Sequence, residues 1–214
     1  MKTDKVLATR PHKVIYQDGD KVWKVFDANY PKTDVLNEAL NQARVEETGL
    51  PIPRVHGVTV NEEGKWAIIS DYIEGETLAE KMAKDPENLE KYMKQFVEIQ
   101  LEIHDKTAPL LNKMKDKMSV RINSLKAVNA TTRYELSTRL EGMPKHKKVL
   151  HGDYNPTNVV IDKDGKYYIL DWSHATQGNA SADAATTYLL LTLQDPKMAE
   201  MYMNMFCDMS DTAK

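Results

Sequence analysis

The sequence predicts an α+β protein of two lobes, a small strand-rich lobe followed by a larger, mainly helical one. Through most of the first 70 residues the apolar side chains recur at every second position, which is the period of strands. After Gly75 they recur every three to four residues, which is the period of helices. A chain of 214 residues has room for two such lobes. The change of period predicts a boundary near Tyr72, with lobes at residues 1–72 and 73–214.

In the first lobe the pattern predicts four strands and one helix. Asp18-Gly19-Asp20 is a hairpin signal between two alternating segments, and Asn61-Glu62-Glu63-Gly64 separates two more. The strands are predicted at residues 12–17, 21–26, 54–60 and 65–71. Apolar residues from Val35 to Ala43 have helical spacing, and Gly49 is expected to end that helix.

The second lobe is predicted to be helical, with short strands between two groups of helices. The helices are expected at residues 77–84, 86–106, 109–128, 131–140, 180–193 and 196–209. The strands are expected at residues 149–150, 158–162 and 166–171. The last helix has methionines at helical intervals from Met198 to Met209, a spacing more typical of core packing than of a binding surface.

Composition and charge exclude several classes of protein. The net charge of -3 argues against bulk binding to nucleic acid, although residues 112–148 hold ten Lys and Arg against three acids. Those cations have helical spacing and few aromatic neighbours, which favours a solvated helix face. Charged residues interrupt every apolar run, so we expect no membrane span, and the N-terminus lacks the apolar stretch of a secretory signal. With Cys207 as the only cysteine, the sequence indicates a cytoplasmic protein.

The polar segment from His151 to Asn158 lies between two predicted strands and is the best candidate for a site. Asp171 follows thirteen residues after Asn158, so a hairpin between them can bring the two together. Amide and carboxylate oxygens are what Mg²⁺ prefers, and Asn158 with Asp171 would leave room for water and phosphate. Asp153 could accept a proton from an attacking hydroxyl. Taken singly, His151 could be a buried histidine, Asp153 a turn residue and Asp171 an acid at a strand end.

The residues His151-Gly152-Asp153, followed by Asn158 and then by Ile169-Leu170-Asp171-Trp172, carry a resemblance to a known group. They resemble the HGDxxxxN and IDW segments of the aminoglycoside phosphotransferase and choline kinase family, the small-molecule branch of the protein kinase-like fold. The likeness implies a bilobal kinase-like fold with a nucleotide-binding first lobe. It extends upstream, where Val22-Trp23-Lys24-Val25-Phe26 is similar to the strand that carries the ATP lysine of that family.

The resemblance implies ATP and Mg²⁺ as cofactors and a role for each matching residue. Asp153 would be the catalytic base, and Asn158 and Asp171 would be the metal ligands. Lys24 would hold the phosphates with Glu38 as its partner. Four further positions have supporting or backbone roles. His151 would brace the loop, Asp183 would anchor it as a structural residue, and the backbone of Asp71 and Ile73 would bind adenine.

Two departures from the family pattern bear on function. Residues 7–17 should cover the phosphates yet contain no glycine, so backbone amides have less access there. Arg10 and Lys13 could supply side-chain charge instead. Asp171 is followed by Trp172-Ser173 rather than Phe-Gly, which fits the small-molecule branch and argues against a protein kinase.

The leading hypothesis is therefore an ATP- and Mg²⁺-dependent kinase that phosphorylates a hydroxyl of a small molecule, such as an aminoglycoside, choline or a sugar. The acids of residues 71–111 and 149–214 could favour a cationic acceptor or could be solvated. One alternative is a degenerate kinase-like module that binds nucleotide without turnover. Another is a metal-dependent hydrolase with His151 and Asp153 as ligands. The oligomeric state is left open.

Overall fold

The structure, a computed structural model, describes residues 5–212. The chain forms two compact units. The first extends up to Tyr92 and also includes Asn155–His174, and the second consists of Met93–Tyr154 and the residues from Ala175 onward. This division differs from the lobes at residues 1–72 and 73–214, which stay a prediction.

The first unit contains a five-stranded antiparallel sheet in the order β1-β2-β3-β5-β4. Its strands are β1 (Lys5–Arg10), β2 (Lys13–Asp18), β3 (Lys21–Phe26), β4 (Val55–Val60) and β5 (Trp66–Asp71). The turns predicted after β2 and β4 are present, and Gly19 and Gly64 adopt the left-handed backbone that such turns need. The sequence reading missed β1. Its Val6 is more than half exposed, so this edge strand lacks a clear apolar face.

Helix α1 (Lys32–Glu46) packs on this sheet. Phe26 from β3, Val35 and Ala39 from α1, and Ile68 from β5 form the buried cluster between them. A Val, Ile or Phe side chain contributes about 1.5–3 kcal/mol when fully buried. The cluster fixes α1 against β3, so polar residues on their facing sides are held at fixed positions.

A second, three-stranded sheet of the first unit has the order β6-β8-β9. Its strands are β6 (Glu76–Thr77), β8 (Val159–Ile161) and β9 (Tyr167–Ile169), and a short helix α2 (Leu78–Lys84) follows β6. Gly75 passes close to β8, where a Cβ atom would lie 2.3 Å from the carbonyl oxygen of Ile161. The β8–β9 hairpin ends with the Leu170 amide donating to the Asn158 carbonyl at 2.8 Å. Asn158 and Asp171 therefore lie at adjoining strand ends, as the spacing predicted.

The second unit is mainly helical. It contains most of α3 (Leu89–His104), then α4 (Met114–Ser124), α5 (Ala130–Gly142), β7 (Lys148–Leu150), β10 (Thr176–Gly178), α6 (Ala180–Thr192) and α7 (Pro196–Ser210). Strand β10 pairs antiparallel with β7. In α7 the buried side chains are Ala199, Tyr202 and Phe206, so the methionines flank the core stripe instead of forming it. None of the helices in residues 5–212 is long and apolar enough to cross a membrane.

Candidate active site

Lys24 and Glu38 form an ion pair between β3 and α1. Glu38 is buried, with 4% of its surface exposed, and the Lys24 side chain is 15% exposed. The Lys24 Nζ also lies 3.3 Å from a carboxylate oxygen of Asp171. Two carboxylates thus share one cation, although the three residues lie far apart in sequence.

The same carboxylates have a second cation beside them. The Nζ of Lys13 lies 3.7 Å from Glu38 and 3.6 Å from Asp171. Lys13 pairs with Phe26 across β2 and β3, and Ile15 pairs with Lys24, so both lysines project from the same face of the sheet. The sequence indicated Lys13 only by its place in the glycine-free segment. Its proximity to Asp171 depends on tertiary structure that no local pattern specifies.

The charge of Lys24 is strongly stabilised in this cluster. Burial lowers the pKa of Lys24, but the carboxylates of Asp171 and Glu38 raise it by more, so its pKa lies above the ordinary value of 10.5. Lys24 is therefore a permanent cation at neutral pH.

Asp171 has a strained backbone, with a φ of 61°. A non-glycine residue in this left-handed region costs about 1–2 kcal/mol. The following turn, Trp172–His174, holds it in place, because Trp172 is fully buried and its Nε1 donates to the Ile169 carbonyl at 3.0 Å. From α1, the Asn41 amide donates to the Ser173 carbonyl at 3.3 Å. Such strain is characteristic of positions where side-chain direction matters.

Asn158 and Asp171 offer an amide oxygen and a carboxylate at adjoining hairpin ends. Oxygen donors of this kind, few in number, suit Mg²⁺, which keeps several ligands for water and phosphate. Residues 5–212 contain no group of three or more His, Cys, Asp and Glu side chains arranged to hold a metal ion.

Asp71 ends β5 at the position matched to the family's adenine-binding segment. Its amide donates to the Arg54 carbonyl at 3.0 Å within the sheet. Its carboxylate accepts hydrogen bonds from Lys21 at 2.9 Å and from the Arg54 amide at 3.1 Å, and lies 2.6 Å from the His56 Nε2. Burial raises the pKa of Asp71, but the bonds from His56, Lys21 and Arg54 lower it by more, to about 2. The Asp71 side chain is therefore occupied by interactions with Lys21, Arg54 and His56. Ile73 lies two residues after the end of β5.

In the second unit, Asp183 binds the backbone of the His151-Gly152 segment. This carboxylate is 3% exposed and accepts the amides of His151 at 3.1 Å and Gly152 at 2.8 Å. It also lies 3.0 Å from the Nε2 of His104 on α3. Burial raises the pKa of Asp183, but His104, His151 and the Gly152 amide lower it by more. Asp183 is therefore held as an anion.

The loop that carries Asp153 is fixed on both sides of that residue. The buried His151 accepts the Asp153 amide on its Nδ1 at 3.3 Å. Tyr154 is buried, donates its hydroxyl to the Phe96 carbonyl at 2.8 Å and stacks on the Phe96 ring at 4.3 Å. The Asp153 side chain lies between these anchors and is half-buried.

The predicted residues are thus distributed over both units. The first contains Lys24, Glu38, Asp71, Ile73, Asn158 and Asp171. The second contains His151, Asp153 and Asp183. Within each unit the structure brings distant residues together. Among the residues of this site, Lys13 had the weakest signal in the sequence.

Comparison with known proteins gives a consistent result. The model of the phosphotransferase enzyme family (APH) matches residues 12–214. No curated protein matches the chain. Among solved structures, a thermostable mutant of aminoglycoside phosphotransferase APH(4)-Ia has a TM-score of 0.67 at 18% identity, over 94% of this chain and 76% of that one.

Two other solved structures have the same fold. Aminoglycoside-3'-phosphotransferase of type VIII has a TM-score of 0.67 at 16% identity and covers 99% of this chain and 86% of its own. A choline/ethanolamine kinase family protein from Mesorhizobium loti has a TM-score of 0.57 at 16% identity, over 98% and 70%. The predicted α+β fold class and the resemblance stated from the sequence are both confirmed.

Proposed function

The chain belongs to the phosphotransferase enzyme family, and on that premise we propose that it transfers the γ-phosphate of ATP to a hydroxyl of a small molecule, with Mg²⁺ as cofactor. The observation that carries this proposal is the cluster of Lys24, Glu38 and Asp171. It combines a permanent cation with a strained acid at the end of the hairpin that also holds Asn158.

In this proposal Lys24 and Lys13 bind the phosphates. Both lysines now contact carboxylates, and phosphate oxygens would replace Asp171 as their partners while Glu38 keeps Lys24 oriented. The hairpin of β1 and β2 contains no glycine, so the charged side chain of Lys13 would bind phosphate in place of backbone amides.

Asn158 and Asp171 would hold Mg²⁺, and their oxygen donors fit that ion. When bound, Mg²⁺ neutralises charge on the transferred phosphoryl group. The left-handed backbone of Asp171 fixes where its carboxylate can point, and the buried Trp172 prevents that turn from relaxing.

Asp153 would accept the proton of the attacking hydroxyl. The hydrogen bonds of its neighbours, described above, limit its motion, so orientation is built into the loop before any acceptor arrives. Asp183 and His151 would act as positioning residues, because they bind the backbone of the loop.

Adenine would bind the chain after β5. Because the Asp71 amide donates to the Arg54 carbonyl, the Asp71 carbonyl would be the group that bonds adenine, together with the backbone of Ile73. A small-molecule acceptor and a cytoplasmic location, the latter expected from the lone Cys207, complete the proposal.

The experiment is an acceptor screen with ATP and Mg²⁺ over aminoglycosides, amino alcohols and sugars, with phosphorylated product detected by ³¹P NMR. We expect one acceptor class to be phosphorylated. Asp153→Asn should lower kcat by about 100-fold or more, the usual loss for a general base, with ATP binding unchanged. The exposed turn residue Asp164 supplies the matched control, Asp164→Asn, which should behave as the unaltered protein.

The second candidate is a degenerate nucleotide-binding module, which the glycine-free β1–β2 hairpin favours. It predicts that ATP raises the Tm while no acceptor is phosphorylated. Phosphorylation of any acceptor in the screen removes this candidate. Full activity of Asp153→Asn would overturn the assignment of the base but not the transfer reaction.

A further inference from the structure

The second unit contains a cavity of about 120 Å³ at the start of α6. Its lining includes His104 and Asp105 at the end of α3, Lys148 on β7, Ser181 in the first turn of α6, and Phe206 and Ser210 on α7. The volume corresponds to about four water molecules, so the cavity suits a ligand of a few heavy atoms.

Two polar atoms of this lining are buried and unpartnered within residues 5–212. One is the Nδ1 of His104, a residue that is only 2% exposed. The other is the hydroxyl of Ser210. A buried polar atom without a hydrogen bond is destabilising, so a ligand that supplies the missing bonds would bind favourably.

The hydrogen-bonding role of the His104 Nδ1 follows from its neighbour. The other ring nitrogen, Nε2, lies 3.0 Å from the Asp183 carboxylate, which can only accept hydrogen bonds as an anion. Nε2 therefore carries a proton, and in the neutral form of the ring Nδ1 is an acceptor. The matching ligand must bring an O–H or N–H donor.

The remaining lining favours an oxyanion. Lys148 is an exposed cation, Ser181 has a hydroxyl, and the N-terminus of the 13-residue helix α6 attracts negative charge. Asn179 already accepts the Ser181 amide, so the helix contributes its dipole more than free amides. Asp105 on the lining and Asp183 behind His104 oppose an anion, but Asp105 can accept a hydrogen bond from a protonated one.

We propose that this cavity binds inorganic hydrogen phosphate. The ion has five heavy atoms, matches Lys148 and the helix start in charge, and keeps one P–OH group that can donate to the His104 Nδ1. Its unprotonated oxygens can accept from Ser210 and Lys148. Sulfate has the same shape and charge but no O–H, so it cannot satisfy Nδ1.

A bound phosphate would also affect the hydrogen bonds of the His151-Gly152 segment. His104 connects the cavity to Asp183, and Asp183 accepts the amides of His151 and Gly152. A donor on Nδ1 changes the electron density of the ring and hence the bond from Nε2 to Asp183. The Gly152 amide resonance is therefore a reporter that lies outside the cavity lining.

The test is a titration of the full chain with sodium phosphate at pH 7.5, followed by ¹H–¹⁵N NMR at constant ionic strength. We expect saturable shifts of the Ser181 and Gly152 amides. Sulfate should bind about fivefold more weakly, the effect of one hydrogen bond of average strength. Methyl phosphate, which is mostly the dianion without P–OH at this pH, should also be weaker.

Three variants separate this cavity from other phosphate sites. Lys148→Met should weaken binding roughly two- to fivefold, as for an exposed ion pair. Ser210→Ala should weaken it without lowering the Tm of the free protein, because its hydroxyl has no partner to lose. Lys24→Met should leave the shifts unchanged, because Lys24 belongs to the other unit.

Equal binding of sulfate and phosphate, or shifts that persist in Lys148→Met and vanish in Lys24→Met, would overturn the proposal. His104→Asn is a less direct variant, since it also breaks the contact with Asp183 and could prevent folding. Phosphate binding is measured without nucleotide or acceptor, so its outcome is separate from that of the phosphotransfer reaction.

Discussion

Lys24 stands among residues of opposite charge, and its removal should be costly. Lys24→Met leaves Glu38 buried without its closest cation, and breaking a buried pair typically costs about 3–5 kcal/mol. Lys13 stays near both carboxylates and should reduce that loss to the lower end. Urea denaturation measures the change, with the exposed Lys163→Met as control. A smaller loss in the free energy of unfolding than in Lys163→Met would show that the Lys24–Glu38 pair does not stabilise the fold.

Asp71 should make stability depend on pH in the acidic range. Its pKa of about 2 lies below the ordinary 3.8, so its contribution is complete above about pH 4 and is lost as the pH falls towards 2. In Asp71→Asn the free energy of unfolding should fall less steeply over this range than in the unaltered protein. The outcome against this account is an equal slope in both proteins. Asp164→Asn controls for removal of an acid as such.

At the scale of elements, a substitution at Gly75 tests how closely the chain packs against β8. Gly75→Ala would place a methyl group 2.3 Å from the Ile161 carbonyl oxygen, and backbone must move to relieve the overlap. We expect a loss of about 1–3 kcal/mol, the usual cost of overpacking. Gly57→Ala is the matched control, because among residues 5–212, its chain neighbours aside, no atom lies within 4 Å of its Cβ position. Thermal denaturation of both variants should lower the Tm only for Gly75→Ala.

The elements also show what the sequence could and could not predict. Strand β3 and the helix over Val35–Ala43 follow from period and turn residues, and the hairpin that joins Asn158 to Asp171 follows from a spacing of thirteen. Helix α4 is shorter than the predicted range 109–128, because its caps Lys113 and Leu125 have extended backbone and Lys113 forms a β-bridge with Gln177. The two-residue strand β6 exists only through its pairing with β8, and no local pattern encodes that partner.

At the scale of the whole molecule, the two compact units do not follow the order of the sequence. Residues 155–174 follow the Asp153 loop in sequence but belong to the first unit. Strand β8 pairs with β6, and the Ile169 amide donates to the Pro51 carbonyl at 2.9 Å. These contacts join positions more than 80 residues apart. A boundary predicted from a change in the spacing of apolar residues takes no account of these contacts.

The chain shares its fold with the solved phosphotransferases described above at 16–18% identity. At such distance the acceptor does not follow from likeness, whereas the proposed role of Lys24 and Lys13 in phosphate binding rests on this chain's own contacts. The central claim is that Lys24 and Lys13 bind ATP phosphates with Mg²⁺ on Asn158 and Asp171.

The most direct test is calorimetric titration of the full chain with a non-hydrolysable ATP analogue, with and without Mg²⁺. The account predicts that Mg²⁺ tightens binding of the analogue to the unaltered protein and to Asp164→Asn, and that this Mg²⁺ dependence is lost in Asp171→Asn. Equal tightening by Mg²⁺ in Asp171→Asn would contradict it.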